Sequence, residues 1–266
     1  MPRLDKQAQD GLFALYGGEF YKSQMDVSYL SARKYALFLY QLFRPKRVVD
    51  VGCGRGMWLR AFKEAGACYL VGYDGPWITQ QDIGDSSIRF VDADLNDLIS
   101  RVGDERFDLA MSLEVAEHLD PLSATEFVEA LTKMSDVVMF SAAYEYQGGT
   151  NHINEQKHSY WARKFADFDY APFDIFRPAF WDDVEVGACY RQNTFLYIKN
   201  GAALSSRLEQ SGYVPLKNIR FMDCVHPDFY QEKILDATLG AIVKNYAKAH
   251  LPARIQSLIR RISTRR

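Results

Sequence analysis

The 266-residue sequence is poor in cysteine, and its four cysteines (53, 68, 189 and 224) are far apart. That spacing excludes a zinc-finger pattern and a disulfide framework, and it points to a reducing, cytoplasmic setting. No stretch approaches eighteen apolar residues, so no membrane span is expected. The polar start "MPRLDKQAQD" lacks the apolar run of a signal peptide. Repeats and low-complexity tracts are absent. A formal net charge of -2 gives no global attraction to nucleic acid.

Hydrophobic residues at 48% and charged residues at 25% describe an ordinary globular chain, long enough for one large domain plus an appendage. Aromatic residues reach 14%, many of them after residue 144, which fits either an aromatic-lined pocket or a packed core. Charge is unevenly distributed. Residues 251–266 carry five arginines and no acid, and Ile255, Leu258, Ile259 and Ile262 form a helical stripe among them. This tail reads either as a packed helix with a solvated end or as a surface for peripheral membrane contact, an anionic acceptor or a partner.

"DVSYLSARKYALFLYQLF" predicts a helix over 26–43, with Asp26 as N-cap and Pro45 beyond its end. From residue 46 to about 143, short apolar strands alternate with helices. The strands are "RVVDV", "CYLVGYD", "IRFVDADL", "FDLAMSLE" and "DVVMFSAA". Near-continuous apolarity in the strands implies cover on both faces and a doubly wound, mainly parallel α/β sheet. Ser123 and Glu126 form a capping-box pattern before "ATEFVEALTKM". Residues 144–158 read as a polar loop and 159–168 as a helix, and "PFDIF" and "TFLYIKN" read as two last strands. The expected organisation is a helical cap over 1–45, a ligand-binding domain over 46–200 and a helical appendage over 201–266.

In such a sheet the ligand lies at the carboxyl ends of the strands, near the switch point after the first. There "DVGCGRG" provides Asp50, Gly52, Gly54 and Gly56, a tight turn whose backbone can approach a ligand closely. No lysine and serine or threonine follow it, so a P-loop is excluded, and its GxGxG spacing is not the dinucleotide GxGxxG. Asp74 ends the second strand, where a carboxylate can accept from ribose hydroxyls. Asp94 follows the third, where it can accept from an adenine amino group. Trp77 is open to two readings, stacking near an adenine or ordinary packing.

The order of glycine loop, Asp74, Asp94 and an acid after the fourth strand resembles class I S-adenosylmethionine-dependent methyltransferases over about residues 46–200. The resemblance implies a seven-stranded Rossmann-like sheet. It implies that S-adenosylmethionine binds at Asp50, Gly52, Gly54, Gly56, Asp74, Asp94, Leu95 and Ser112. The glycines would flank the methionine part, Asp74 the ribose, and Asp94 with Leu95 the adenine edge. More narrowly, "SLEVAEHL", "SAA", "GGTNHINEQ", "SYW" and "YRQN" resemble a bacterial methyltransferase group associated with glycan and small-molecule pathways. That group implies a hydroxyl acceptor on a sugar or small molecule.

"SLEVAEHLD" supports three readings. If a helix begins here, Glu114, Glu117 and His118 share one face at i, i+3 and i+4. In the first reading Glu114 touches the cofactor region while Glu117 and His118 cap or solvate the following helix. Alternatively His118 or His152 is a metal-free general base. In the third reading Glu114, Glu117, His118 and His152 bind Mg, Mn, Fe or Zn in a mixed oxygen and nitrogen shell. The Glu-x-x-Glu-His segment with a later histidine resembles the 3′-terminal 2′-O-methyltransferases of small RNAs, and ubiquinone-biosynthesis O-methyltransferases carry a similar segment. His158 is a spare candidate that reads alone as a surface histidine, and His226 has no assigned role. Glu155 and Gln156 are placed to orient the loop or the acceptor, and Arg191, Gln192 and Asn193 to reach acceptor hydroxyls or phosphate. An RNA acceptor is disfavoured because no basic stripe accompanies the aromatics of 144–200. A protein acceptor, an NAD-binding fold and a non-catalytic cofactor-binding protein remain as alternatives.

Overall fold

The strands alternate in which face they serve. Val48, Leu109, Met111 and Met139 join one apolar cluster. Val49, Ala110, Val138 and Phe140, one residue out of phase, join another. A strand with apolar side chains on both faces needs cover on both, and that requirement organises the molecule. The structure is a computed structural model that describes residues 18–235 and residue 242, with side chains from Val27 onward. The apolar and basic tail 251–266 and the polar N-terminus lie outside the described residues.

Seven strands form one sheet: β1 (Arg47–Val51), β2 (Tyr69–Asp74), β3 (Ile88–Asp92), β4 (Leu109–Leu113), β5 (Val137–Ser141), β6 (Tyr170–Phe173) and β7 (Phe195–Lys199). Their order is β3-β2-β1-β4-β5-β7-β6. The first five run parallel, and β7 is antiparallel to both neighbours. The chain returns across β1 to lay down β4, so the switch point lies between them. Asp50 sits opposite Gly72 on one side and Met111 on the other.

Helices α1 (Gly18–Phe43) and α2 (Met57–Ala65) cover one face through Tyr35, Leu39, Leu59 and Phe62. Tyr35 stacks between Phe176 and Phe180, with ring centroids 4.8 and 4.6 Å away. A short α3 (Gln80–Ile83) precedes β3. The other face is covered by α4 (Ala124–Met134) and α5 (His158–Ala166) through Phe127, Val128, Trp161 and Phe165. Phe165 stacks on Tyr197 of β7 at 3.9 Å. Each such side chain contributes about 1.5–3 kcal/mol on burial. Two short helices, α6 (Arg177–Phe180) and α7 (Ala188–Asn193), lead into β7, and α8 (Ala203–Gln210) follows it.

The doubly wound sheet is the one expected, and several boundaries differ. Helix α1 starts at Gly18, so Asp26 lies inside it rather than at its N-cap. No proline or glycine interrupts 19–26, and nothing stops the helix there. β6 begins at Tyr170 and ends at Phe173, because Asp174 turns to bind the Arg177 guanidinium at 2.9 Å. Pro172 is tolerated since β6 is an edge strand. Ser123 makes no capping hydrogen bond. The cap lies one turn earlier, where Asp120 accepts from the Leu122 N–H at 2.9 Å and Pro121 opens a 3-10 turn over Pro121–Ser123.

Leu204 and Leu208 of α8 enter the core, and the compact unit carrying the sheet extends to Cys224. Val225–Arg266 form a second unit. Among the described residues no helix is long and apolar enough to cross a membrane.

Replacing Phe165 with alanine removes the ring stacked on Tyr197. The expected cost is about 3–5 kcal/mol, read from the urea midpoint at an unchanged denaturant slope.

Candidate active site

The carboxyl edge of the sheet is shaped first by glycine. Gly52, Gly54 and Gly56 have φ of +83°, +49° and +74°, a region that side chains rarely enter. The N–H groups of Gly52 and Cys53 both donate to the Tyr73 carbonyl, at 2.8 and 3.1 Å, and fold the loop over β2. A Cβ at Gly52 would lie 2.3 Å from Val115 Cγ2, whereas one at Gly54 would meet nothing within 4 Å. The loop is therefore pressed against Val115 on one side and open on the other.

Asp74 anchors this loop. One carboxylate oxygen accepts from the Gly54 N–H and the other from the Gly75 N–H, each at 2.7 Å. The Trp77 indole N–H is a third donor to this carboxylate, which still has lone-pair capacity left. Burial raises the Asp74 carboxyl above its ordinary range against the pull of these bonds. Asp50 is also buried, and burial followed by the nearby Asp74 charge pushes its carboxyl well up. Asp94 is exposed and caps the 3-10 helix Leu95–Ser100 by accepting from the Asn96 N–H at 2.9 Å. Leu95 is buried beneath it. Trp77 is 61% exposed, and its ring lies over Gly75, where a Cβ would come within 2.3 Å of it. It is therefore an exposed cover beside Asp74 rather than a core residue.

No helix begins at Glu114. Its φ is +55°, and its N–H donates to Ser141 at the end of β5, to both the carbonyl and Oγ at 3.1 Å. A single 3-10 turn, Ala116–His118, follows, and α4 starts only after Asp120 and Pro121. Glu114 is thus turned away from the helical face that the i, i+3, i+4 spacing would give it. The Asn193 Nδ2 donates to both of its carboxylate oxygens at 3.1 and 3.2 Å, and Gln147 Nε2 lies 3.5 Å away.

Loop 144–157 folds back onto this turn. The Glu117 carbonyl accepts from the N–H groups of Ile153 and Asn154 at 2.9 and 3.0 Å, and Asn154 Nδ2 donates to the Ala116 carbonyl at 3.1 Å. His152 is thereby set beside His118, with ring centroids 4.8 Å apart and nearly perpendicular. Possible ligand atoms of Glu117, His118 and His152 all lie within 4.8 Å of one another. Glu117 is 1% exposed, and its Oε2 has no hydrogen-bond partner among the described residues. Burial, then the Glu114 charge, pushes its carboxyl well above the usual range. Burial raises Glu114 as well. His118 is lowered by desolvation of the ring side packed inward and by His152, although its outer edge reaches solvent. Glu155 Oε1 faces His152 Nδ1 at 2.8 Å and accepts from the Gly148 N–H at 2.6 Å.

The edge therefore collects Glu117, His118 and His152 into one cluster and holds Glu114 on an amide-lined side of it. Ser112 is fully buried inside β4, with its Oγ unpartnered among the described residues. Glu155 and Gln156 stiffen the loop, since Gln156 donates to Asn154 Oδ1 at 3.1 Å. Gln192 and Asn193 are buried rather than displayed, and the Arg191 guanidinium donates to the Trp181 carbonyl at 3.0 Å. His158 is not a surface histidine. It is 2% exposed, because it opens α5 beneath Tyr144 and against Phe195. His226 has its Nδ1 accepting from the Asp228 N–H at 3.2 Å, within the second unit. Sequence reading missed Ser141, Gln147 and Asn154. Only the strand register and the loop fold bring them to Glu114 and Glu117.

This architecture, a mainly parallel seven-stranded sheet with a glycine turn after β1 and an acid ending β2, is that of the Rossmann-like class I methyltransferases. Residues 21–217 match the family described as a methyltransferase domain, and the chain belongs to that family. It is 27% identical over 101 residues to the mitochondrial ubiquinone biosynthesis O-methyltransferase of Dictyostelium discoideum. That match covers 33% of this chain and 31% of the relative, so the chain spans about a third of that protein's length. Among solved structures it resembles magnesium protoporphyrin IX methyltransferase from Synechocystis PCC 6803 with bound SAH, at a TM-score of 0.51 and 16% identity. The alignment covers 73% of this chain and 95% of that one. It also resembles a Haloferax volcanii complex between the Trm112 methyltransferase activator and a methyltransferase, at a TM-score of 0.52 and 18% identity, over 74% of this chain and 99% of that one. Likeness at this identity is a likeness of fold.

The raised Asp50 carboxyl has a direct consequence for stability. A group whose folded pKa exceeds its unfolded value stabilises the fold below the unfolded pKa. That contribution is lost as pH rises through the folded one. Asp50→Asn should therefore gain on the wild type as pH climbs from about 4, the unfolded carboxylate value, and plateau once Asp50 is ionised. Urea unfolding from pH 4 to pH 8 checks this, and a difference constant across that range is the contrary result.

Proposed function

We propose that the protein transfers a methyl group from S-adenosylmethionine to a hydroxyl oxygen of a small-molecule, sugar or glycan-linked acceptor. We propose further that a divalent cation (Mg, Mn, Fe or Zn) is held at Glu117, His118 and His152. The observation that carries this reading is the buried, unpartnered Glu117 carboxylate oxygen beside two imidazoles, on the same strand edge as the glycine cradle. A buried carboxylate oxygen without a partner is costly, and a cation relieves that cost.

The cofactor fits what surrounds the loop. Gly54 faces open space, and Asp74 is pre-aligned by two backbone N–H groups with capacity left for ribose hydroxyls. Asp94, Leu95 and exposed Trp77 border the adenine side in this reading. The sulfonium methyl is already electrophilic, so the chain's task is alignment of acceptor oxygen, methyl carbon and sulfur, plus management of one proton. The cation, when bound, makes a coordinated hydroxyl more acidic. His152 has Nδ1 occupied by Glu155 and its Cε1–Nε2 edge over Gly149, which leaves Nε2 as the ring nitrogen free to act as a ligand, with an outer carboxylate steadying the ring. The same 2.8 Å contact favours a second reading, in which His152 is a metal-free base oriented by Glu155.

Asp74→Ala should abolish S-adenosylmethionine binding in calorimetry, and unchanged affinity would remove the cofactor assignment. Glu117→Ala, His118→Ala and His152→Ala should each lower turnover by about a hundredfold or more while cofactor affinity holds. Chelator-resistant turnover with no metal in elemental analysis would leave the base reading in its place.

A further inference from the structure

His158 lies away from the cluster described above, yet it is joined to it through one side chain. Its Nδ1 is 2.8 Å from the Met222 carbonyl, an oxygen that also accepts from Arg177 at 2.9 Å. A carbonyl can only accept, so Nδ1 carries hydrogen. Its Nε2 is 3.0 Å from Asn193 Oδ1. The opposite end of that amide, Nδ2, points at three acceptors: the two Glu114 oxygens and Gln147 Oε1 at 3.0 Å. A second donor, Gln192 Nε2, meets Asn193 Oδ1 at 2.9 Å. Turning the amide over would set its oxygen against the Glu114 carboxylate and its NH2 against Gln192, so the surroundings admit one orientation. In that orientation His158 Nε2 donates, both ring nitrogens carry hydrogen, and the ring is a buried cation. Burial and the Arg177 charge pull its pKa down, and the bonds to Met222 and Asn193 and the Asp223 charge oppose them.

The His158 ring cannot turn away. It is wedged between Tyr144 and Phe195, with centroids 4.9 and 5.2 Å distant. The segment that supplies the Met222 carbonyl is pinned in turn, because Asp223 accepts from the Ser159 N–H and Oγ at 2.9 and 2.7 Å. The line runs from the 219–223 segment through His158 and Asn193 to Glu114.

We propose that His158 is a positioning residue: its Nε2–H fixes the Asn193 amide, and Asn193 Nδ2 holds the Glu114 carboxylate at the carboxyl end of β4. The purpose this gives Glu114, a charge fixed beside the reacting groups, rests on the methyl-transfer reading, while the relay itself does not. Glu114 sits on a left-handed backbone, with a carboxylate that burial disfavours. Such a side chain needs donors to stay in place.

The test is nitrogen-15 NMR on the full chain. In the wild type, both His158 ring nitrogens should show protonated-type shifts, and the Asn193 side-chain NH2 should exchange slowly. His158→Phe keeps the ring volume and removes the donor. It should speed Asn193 NH2 exchange by about tenfold or more, the loss expected for a hydrogen bond to a charged group. His158→Gln, whose amide can donate, should restore most of the protection. Recovery by glutamine separates donation from mere space filling. Unchanged exchange in His158→Phe, or an unprotonated Nε2 in the wild type, overturns the relay. Should His158→Phe fail to fold, the wild-type ring shifts decide alone. Calorimetry of the wild type with S-adenosylmethionine runs in parallel. Absent binding there overturns the functional reading, while the ring shifts and exchange rates still decide the relay.

Discussion

The Glu117 carbonyl accepts the N–H groups of both Ile153 and Asn154, and the candidate site hangs on that junction. Together with the Asn154 Nδ2 bond to the Ala116 carbonyl, it fixes loop 144–157 against the turn after β4. With it, His152 stands beside His118 and the buried Glu117 side chain. The junction depends on Glu114. Its left-handed backbone diverts the chain out of β4 and ties it to Ser141, so that Val115 leads into a 3-10 turn over Ala116–His118 that presents the Glu117 carbonyl to the loop. Strain of this kind costs of order 1–3 kcal/mol and persists where its surroundings over-determine it. Here Ser141, Gln147 and Asn193 do so.

The two halves of the edge are mechanically linked. The glycine loop rests on Val115, the residue after Glu114, with no room for a Cβ at Gly52. Asn96, at the end of the Asp94 turn, accepts from the Asp120 N–H just past His118. The cofactor loop and the cluster turn therefore meet through Val115 and Asp120. Four carboxyls along this edge, Asp50, Asp74, Glu114 and Glu117, are pushed up by burial. Concentrations of desolvated acids mark places where folding stability is spent on binding or catalysis.

Much of the scaffold was legible in the residues. Apolar runs such as "RVVDV" and "LAMSL" have no stable home except a sheet covered on both faces, and Gly52, Gly54 and Gly56 announce a turn that only glycine adopts freely. Local chemistry was legible less reliably where neighbours compete. Ser123 and Glu126 have the letters of a capping box, but Asp120–Pro121 begins the turn sooner and takes the role. His158 looked like surface because a single histidine in a polar stretch has no local reason to be buried. Its burial comes from Phe195 and Met222, far away in the chain.

By itself the sequence determined the strand and helix alternation, the glycine turn and the positions of the acids at strand ends. These depend on local sterics and on a two-residue or 3.6-residue period. It also brought Glu117 and His118 together, since adjacent residues in a turn cannot part. Only the tertiary structure decided that Glu114 faces Asn193 and Gln147, that His152 descends to the Glu117 turn, and that His158 stands behind Asn193. Those contacts join residues 33 to 79 positions apart. No local preference carries across such distances. What carries is the register of β4, β5 and β7 and the requirement that every buried donor meet an acceptor.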